Sequence, residues 1–201
     1  MDEDPPFVTG RPVARAALHW ADTLHSGQRR AVDQAPFVLH PAEVAALLSV
    51  RGYDDEVVAA GLLHDAIEDT DATVADVRER FGDRVARIVA AVSEDPAIDD
   101  YDARKAGLRA QVAAAEGDVH AVYAADKLVK TRELRAQAAR AGAALDEPDL
   151  VERREHYEQS LQMLEAVAPG LDLVKQLAFE LWALRLLPPA AAAAPVAVRR
   201  G

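Results

Sequence analysis

The 201-residue chain contains no cysteine and few aromatic residues. Without cysteine it has no disulfides, no thiolate metal site and no cysteine nucleophile, which fits a reducing compartment. Phenylalanine, tryptophan and tyrosine make up 5% of the residues, whereas 43 residues are alanine. The core must therefore be built from small side chains together with leucine and valine. A chain of this length buries a sizeable core without covalent cross-links.

The chain also lacks a basic surplus and a long apolar run. Its formal net charge of −11 disfavours general nucleic-acid binding, which needs a large basic surface. No apolar run approaches the roughly 20 residues of a membrane span. The N-terminal residues MDEDPPFVTGRP are acidic and proline-rich, unlike a signal peptide. These features predict a soluble, cytoplasmic protein with no nucleic-acid partner and no membrane partner.

Strand patterns are nearly absent, and helical spacing of apolar residues extends over almost the whole chain. Glycine, proline and capping residues divide this pattern into the predicted helices 11–26, 41–51, 56–69, 73–81, 83–92, 102–115, 119–134, 149–167 and 171–187. The sequence thus predicts a single all-α domain, a helical bundle of about eight to ten helices over residues 11–187. Residues 1–10 are expected to form a flexible segment, and the Ala/Pro-rich residues 188–201 a disordered tail.

The segment LLHDAIEDT places an imidazole and three carboxylates at the end of an apolar helix. Helical spacing puts Glu68 one turn after His64, and Asp69 one turn after Asp65. Burial of like charges costs free energy unless a cation offsets it, so a divalent metal is the simplest compensation. The alternative is a capped, solvated helix end with unrelated acids.

Two further residues lie where they can complete a metal site. His40 directly precedes Pro41 at a predicted helix start, and Asp126 lies inside the apolar run VYAADKLVKTREL. A lone acid in such a run needs a strong reason to be buried, and the alternative for Asp126 is a salt bridge to Lys127 or Lys130. Two imidazole nitrogens and two carboxylate oxygens suit Mn²⁺, Fe²⁺ or Zn²⁺ and leave positions for water or substrate.

A histidine, an adjacent His-Asp pair and a distant aspartate, in this order, resemble the HD-domain metal phosphohydrolases. The longer similarity is to the hydrolase domain of RelA/SpoT-type alarmone enzymes, and especially to the free-standing small alarmone hydrolases. It covers about residues 13–168 and includes the stretches HSGQRR, APFVLHP, GLLHDAIEDTDAT, FGDRVARIVAAVSED, ARK, AADKLVKTREL and RREHYEQSL. The resemblance implies a single HD-domain helical bundle.

The resemblance also implies the chemistry of the site. It implies one Mn²⁺, with Zn²⁺ or Fe²⁺ as alternatives, bound by His40, His64, Asp65 and Asp126. It implies that an acidic pair, Glu68 and Asp69, positions and activates the attacking water. The family removes the 3′ pyrophosphate from ppGpp or pppGpp and releases GDP or GTP. A carboxylate accepts the proton of water when its pKa lies near the working pH, and clustered acids favour a raised pKa for Glu68.

A highly anionic substrate requires local cations in a net acidic protein. The predicted substrate contacts are basic residues of the matching segments and one aromatic residue that stacks on the base or lies against its edge: Arg29, Arg30, Arg104, Lys105, Lys130 and Tyr157. The alternatives are ordinary surface charge and a core-edge aromatic. His25 is expected to hold the following loop by hydrogen bonding, whereas His19, His120 and His156 are expected at the surface or its edge.

Nucleotide recognition departs from the family pattern at three places. Lys130 stands where the family usually has an asparagine that helps to hold the nucleotide, Ala31 replaces a basic residue, and loop 95–100 is acidic where relatives often carry lysine. The leading prediction is a Mn²⁺-dependent 3′-pyrophosphohydrolase of guanosine alarmones. One alternative is an HD phosphohydrolase acting on an adenosine alarmone or a deoxynucleotide, and another is a non-catalytic nucleotide-binding regulatory domain. A homo-oligomer is left open.

Overall fold

The computed structural model describes residues 4–141 and 148–186. Within these ranges the chain forms nine α-helices and no β-strand, apart from an isolated bridge between Arg29 and Pro36. The helices are α1 (Pro12–Leu24), α2 (Leu39–Ser49), α3 (Asp55–Leu63), α4 (Ala66–Asp69), α5 (Val74–Val92), α6 (Tyr101–Ala113), α7 (Gly117–Ala141), α8 (Pro148–Val167) and α9 (Asp172–Arg185). The predicted all-α fold is confirmed. In the described part of the chain, no helix is long and apolar enough to cross a membrane.

The core is centred on α3, in which every residue from Val57 to Leu63 is buried. Helices α1, α2 and α5 pack around α3, and α7 packs against α2, α8 and α9. Alanine, valine and leucine dominate the buried side chains, as the composition predicts. A Cβ atom at Gly61 would lie only 2.7 Å from the Leu48 side chain. The missing side chain at Gly61 therefore allows α2 to lie very close to α3.

Aspartate side chains fix the starts of two helices that meet near the N-terminus. Asp54 caps α3 by accepting a hydrogen bond from the Val57 amide at 3.1 Å. The neighbouring Asp55 instead accepts from the amides of Val13 and Ala14 in the first turn of α1, at 3.0 and 2.8 Å. Because the first amides of a helix have no intrahelical partner, these carboxylates both stabilise the helix starts and join α1 to α3.

The predicted helix 56–69 is divided at the His-Asp pair. Helix α3 ends at Leu63 and α4 begins at Ala66, so His64 and Asp65 occupy the junction. Gly82, expected to separate two helices, has a φ of +87° and interrupts α5 at that position. Helix α7 continues to Ala141, beyond the predicted end at residue 134.

Residues 4–10, which belong to the segment predicted to be flexible, contact the rest of the bundle. Pro6–Val8 form a 3₁₀ turn, and Val8 is buried in the core. Asp4 forms ion pairs with Arg15 and His19 of α1. The predicted disordered tail, 188–201, lies outside the described residues, and so does the predicted end of the last helix at 187.

Candidate metal centre

Four buried side chains converge at the C-terminal end of α3. His40 lies in the first turn of α2, His64 and Asp65 lie in the α3–α4 junction, and Asp126 lies in α7. Their exposed fractions are only 2–4%. In a continuous helix, the side chains of two consecutive residues would point about 100° apart. The break between α3 and α4 lets both His64 and Asp65 face the same centre. The structure thus brings together all four predicted ligands.

The converging atoms are one nitrogen of each histidine and one oxygen of each aspartate. The Nε2 atoms of His40 and His64 lie 3.3 Å apart. Asp126 Oδ1 lies 3.2 Å from the Nε2 of His40 and 3.3 Å from that of His64. Asp65 Oδ2 lies 3.4 and 3.1 Å from the same two nitrogens. The ligand atoms of His40, His64 and Asp65 all lie within 4.8 Å of one another.

The outer nitrogen of each imidazole already has a partner. His64 Nδ1 donates to the Gly61 carbonyl at 2.8 Å, and His40 Nδ1 faces Glu133 Oε1 at 3.2 Å. A neutral imidazole with its proton on Nδ1 presents a lone pair at Nε2. Two lone pairs then face two carboxylates, and Asp65 Oδ2 has no hydrogen-bond partner within the described residues. A divalent cation satisfies all four groups, so the donor set fits a metal.

The electrostatics of the centre favour positive charge. Burial lowers the pKa of His64, but Asp65 and Asp126 outweigh this effect and raise the pKa to about 10. Burial raises the pKa of Asp65, but His64 and Lys130 hold it well below its usual range. Both carboxylates are therefore charged over the whole working pH range, which a hard cation requires of its ligands.

The alternative interpretation of Asp126, a salt bridge to lysine, is also realised. Lys127 Nζ lies 2.8 Å from Asp126 Oδ2, and Lys130 Nζ lies 3.0 Å from Asp126 Oδ1. Burial raises the pKa of Asp126, but these two lysines outweigh it and hold the pKa far below its ordinary value. Lys127 pairs with Oδ2, whereas Oδ1 is the oxygen near the histidines. The ion pair thus orients Oδ1 towards the centre.

The acidic pair lies on α4, directly after the ligands. Glu68 and Asp69 line a cavity of about 290 Å³. The backbone N–H of Glu94 donates to Glu68 Oε1 at 2.7 Å and fixes that carboxylate. Removal from bulk water and the negative charge of Asp65 raise the pKa of both Glu68 and Asp69. A raised pKa, predicted for Glu68, suits a group that accepts a proton near neutral pH.

Two further cavities flank the centre, and Lys130 lines both of them. The larger has a volume of about 560 Å³ and contains three of the predicted substrate contacts, Lys105, Lys130 and Tyr157. The smaller has a volume of about 260 Å³ and contains Arg29, Arg30 and Lys130. The remaining predicted contact, Arg104, lies in neither and lines the cavity of the acidic pair.

Several predicted phosphate contacts are paired with acids. Arg104 and Lys105 both bind the carboxylate of Glu94. Arg30 binds three carboxylates, those of Asp33, Glu43 and Glu133. These cations are therefore held in place by carboxylates, which a bound phosphate would have to share or displace.

Glu94 and Glu133 belong to this site, although the sequence alone did not identify either. Glu133 joins His40 to Arg30. Glu94 joins Glu68 to Arg104 and Lys105. Glu133 lies two helical turns after Asp126 on the predicted helix 119–134. This spacing places both side chains on one face of the helix, so it could have indicated that Glu133 lies near the site. Glu94 offered no such signal because it acts on Glu68 through its backbone N–H.

His25 holds the following loop, as expected. Its Nδ1 lies 2.8 Å from Gln28 Oε1, and Gln28 Nε2 donates to the Asp69 carbonyl at 2.9 Å. The chain of hydrogen bonds connects the loop after α1 to the acidic pair. His25 thus acts on the backbone around the site and not on the metal.

The remaining histidines divide between surface and core. His19 is exposed, as expected, and pairs with Asp4. The expectation of a surface or edge position is wrong for His120 and His156, which are 6% and 5% exposed because α6 packs over α7 and α8. His120 Nε2 donates to the Val112 carbonyl at 3.0 Å. Arg109 donates to His156 Nδ1 at 2.8 Å, and burial together with the nearby cations lowers the pKa of His156 to about 2.

The fold and the centre define an all-α protein with a candidate metal site lined by histidine and aspartate. Residues 17–151, about two thirds of the chain, match the family model described as HD domain. The chain therefore belongs to the HD domain family.

The similar proteins include two that are named for one activity. Guanosine-3′,5′-bis(diphosphate) 3′-pyrophosphohydrolase of Aquifex aeolicus (strain VF5) is 42% identical over 78 residues, which are 39% of this chain and 11% of that protein. A Danio rerio protein described by the same activity is 41% identical over 86 residues, 41% of this chain and 48% of that protein. The matches thus span about a tenth of the first relative and about half of the second.

Solved structures extend the similarity to most of the chain. A metazoan ortholog of SpoT, described as hydrolysing ppGpp, superimposes with a TM-score of 0.75 at 26% identity and covers 87% of this chain and 97% of that one. A Listeria monocytogenes EGD-e protein superimposes with a TM-score of 0.65 at 30% identity, covering 74% of this chain and 97% of that one.

Proposed function

We propose that this protein is a metal-dependent 3′-pyrophosphohydrolase of guanosine alarmones, which converts ppGpp or pppGpp to GDP or GTP and pyrophosphate. The observation that carries the proposal is the convergence of two imidazole nitrogens and two carboxylates next to an acidic pair of raised pKa. Two relatives are named for this activity, and the metazoan SpoT ortholog is described as hydrolysing ppGpp. A pure binding domain would need no such acidic pair.

The residues divide the chemistry between them. The metal ligands are His40, His64, Asp65 and Asp126. A divalent metal, when bound, polarises a phosphoryl oxygen and makes water a stronger nucleophile. Glu68 accepts the proton of the attacking water, and the Glu94 amide holds its carboxylate in one orientation. Asp69, on the same short helix, orients the water.

The two flanking cavities fit a nucleotide that carries more than one phosphate group. The 560 Å³ cavity has a cationic wall that includes Lys105, Lys127 and Arg153, and it takes a phosphate arm. The 260 Å³ cavity joins the apolar side chains of Phe37 and Leu134 to arginines, and it takes the base. Tyr157 lies in the wall of the larger cavity, where it contacts the ribose or the base edge.

Mn²⁺ is the proposed metal, since two nitrogen and two oxygen donors with no thiolate suit this ion and leave positions for substrate. Zn²⁺ and Fe²⁺ are the alternatives. A cytoplasmic location stays a prediction from the sequence, and the oligomeric state is left open.

A nucleotide panel tests the proposal. The purified protein with Mn²⁺ is incubated with ppGpp, pppGpp, an adenosine 3′-pyrophosphate, GTP and a deoxynucleoside triphosphate, and the products are separated by ion exchange. We expect pyrophosphate and GDP or GTP from the guanosine 3′-pyrophosphates, and release slowed about a hundredfold or more in Glu68→Gln. Preferential turnover of the adenosine or deoxy compound would replace the guanosine assignment, and no turnover of any compound would favour a binding domain.

A further inference from the structure

Lys130 contacts the Asp126 oxygen that also faces His40 and His64. It lies on α7 one helical turn after Asp126, and its Nζ is 3.0 Å from Asp126 Oδ1. That oxygen is also 3.2 and 3.3 Å from the two histidine Nε2 atoms. Lys130 Nζ lies 3.4 Å from Asp65 Oδ1 as well, so one ammonium bridges both acidic ligands.

The charges at the centre do not balance when a divalent cation joins this arrangement. Asp65 and Asp126 supply two negative charges, and the imidazoles supply none, because a histidine must be neutral to bind a metal. A divalent cation alone neutralises this set. Lys127 and Lys130 add two positive charges within hydrogen-bond distance of Asp126. Positive charges at such short range repel strongly inside a protein.

The two lysines differ in what else they can contact. Lys127 is buried, with 5% of its side chain exposed, and its ammonium lies over the Tyr123 ring at 4.6 Å. The Lys130 side chain is 29% exposed and lines both flanking cavities. Lys127 is therefore a fixed part of the core, whereas Lys130 has space in which to move away from the carboxylates.

We propose that Lys130 is an internal cation of the metal centre, which neutralises Asp65 and Asp126 in the metal-free protein and lowers the affinity of the centre for a divalent cation. Lys130 is thus a positioning residue that acts through the two carboxylates. The proposal rests on the metal centre of the proposed function, but it is independent of which nucleotide the protein hydrolyses.

Metal titration without nucleotide tests the proposal. Mn²⁺ affinity is measured by calorimetry and by chelator competition on metal-free wild type, Lys130→Asn, Lys130→Gln and Lys130→Arg. Lys175→Asn is the matched control, because Lys175 lies on α9 and pairs with Asp172. We expect about tenfold or tighter Mn²⁺ binding in both neutral variants, since a repelling charge is removed. Lys130→Arg and Lys175→Asn should bind like the wild type.

Thermal unfolding supplies a second readout. Without metal, Lys130→Asn should melt below the wild type, because Asp65 loses its lysine and Asp126 loses one of its two lysines. Mn²⁺ should raise the melting temperature of this variant by more than that of the wild type. A neutral variant that folds only when Mn²⁺ is added also supports the proposal. Equal or weaker Mn²⁺ affinity in both neutral variants, or a neutral variant that Mn²⁺ does not restore, overturns it. Because no nucleotide is present, such a result leaves the alarmone assignment untouched.

Discussion

The outer nitrogens of His40 and His64 decide what their inner nitrogens can bind. The Gly61 carbonyl can only accept, so it fixes the proton of His64 on Nδ1. Glu133 does the same for His40 and binds Arg30 as well. These contacts aim both Nε2 atoms at the centre before any metal arrives, and this orientation separates the centre from an ordinary cluster of buried ion pairs.

Removal of Glu133 should weaken the metal centre without touching a ligand. We expect Glu133→Ala to lower metal affinity about 10- to 100-fold, the usual range for a residue that orients a ligating histidine. Calorimetric titration with Mn²⁺ measures the loss. Glu43→Ala is the matched control, because Glu43 also binds Arg30 but does not contact His40. Equal losses in the two variants would mean that Glu133 acts through Arg30 and not through the histidine.

Glu68 and Asp69 should be required for turnover but not for metal binding. We expect Glu68→Gln and Asp69→Asn each to lower the turnover number about a hundredfold or more, because an amide accepts no proton from water. Metal content and pyrophosphate release are measured on the same preparations. Glu79→Gln, at an exposed glutamate of α5, should retain full rate. Near-normal rates in both site variants would show that other residues activate the water.

The pH dependence follows from the direction of the Glu68 shift. Removal from bulk water and the charge of Asp65 raise its pKa, so the protonated, inactive carboxyl persists to a higher pH than in a free glutamate. We expect the wild-type rate to fall as the pH decreases through this raised pKa, and we expect the residual rate of Glu68→Gln to lack this decrease. An identical acidic limb in both proteins would assign it to another group.

At the scale of single helices, the sequence predicts which segments are helical better than it predicts where a helix breaks at the site. The apolar pattern of 56–69 reads as one helix, because hydrophobic periodicity does not register a break of two residues. The break at His64 and Asp65 is what aims both side chains at one point. Gly82 was predictable, since glycine adopts a positive φ without strain. His156 was misplaced, because the sequence gives no indication that α6 covers it.

The distance between α2 and α3 depends on Gly61. A Cβ there would lie 2.7 Å from Leu48 Cδ1 and 3.4 Å from the Ala45 backbone. We expect Gly61→Ala to cost about 1–3 kcal/mol, as overpacked cores do, and to weaken metal binding because α2 carries His40 and Gly61 supports His64. Denaturant unfolding and Mn²⁺ titration measure the two effects.

Gly107→Ala provides the control for the Gly61 variant. Gly107 lies in α6, where an added Cβ meets only Ile98 Cδ1, at 3.5 Å. Alanine is favoured over glycine inside a helix by roughly 0.5–1 kcal/mol, so this variant should be neutral or more stable. If Gly61→Ala proves as stable as Gly107→Ala and binds metal equally well, the close approach of α2 to α3 has no part in forming the centre.

At the scale of the whole molecule, a chain of net charge −11 concentrates positive charge around one buried acidic centre. Lysines and arginines from α6, α7 and α8 line the 560 Å³ cavity, and Asp65 and Asp126 lie beyond Lys130. The site therefore attracts phosphate groups locally although the protein as a whole repels them. The sequence predicted the opposing charges from family resemblance, but only the fold shows that Lys130 lines both cavities.

Metal binding should stabilise the whole bundle, because the ligands join α2, the α3–α4 junction and α7. A ligand that binds only the folded state adds about 2.7 kcal/mol at a hundredfold excess over its Kd. In a domain of this size each kcal/mol shifts the melting temperature by about 2–4 °C, so Mn²⁺ at that excess should raise the melting temperature by roughly 5–11 °C above that of the chelator-treated protein.

Asp126→Asn replaces an anionic ligand by a neutral amide, so this variant should retain little metal and show little of this rise. Each protein is melted with chelator and with Mn²⁺, so that the intrinsic cost of the substitution is measured apart from the metal effect. An unchanged wild-type melting temperature would show that the folded centre binds no Mn²⁺, and an equal rise in Asp126→Asn would remove Asp126 from the ligand set.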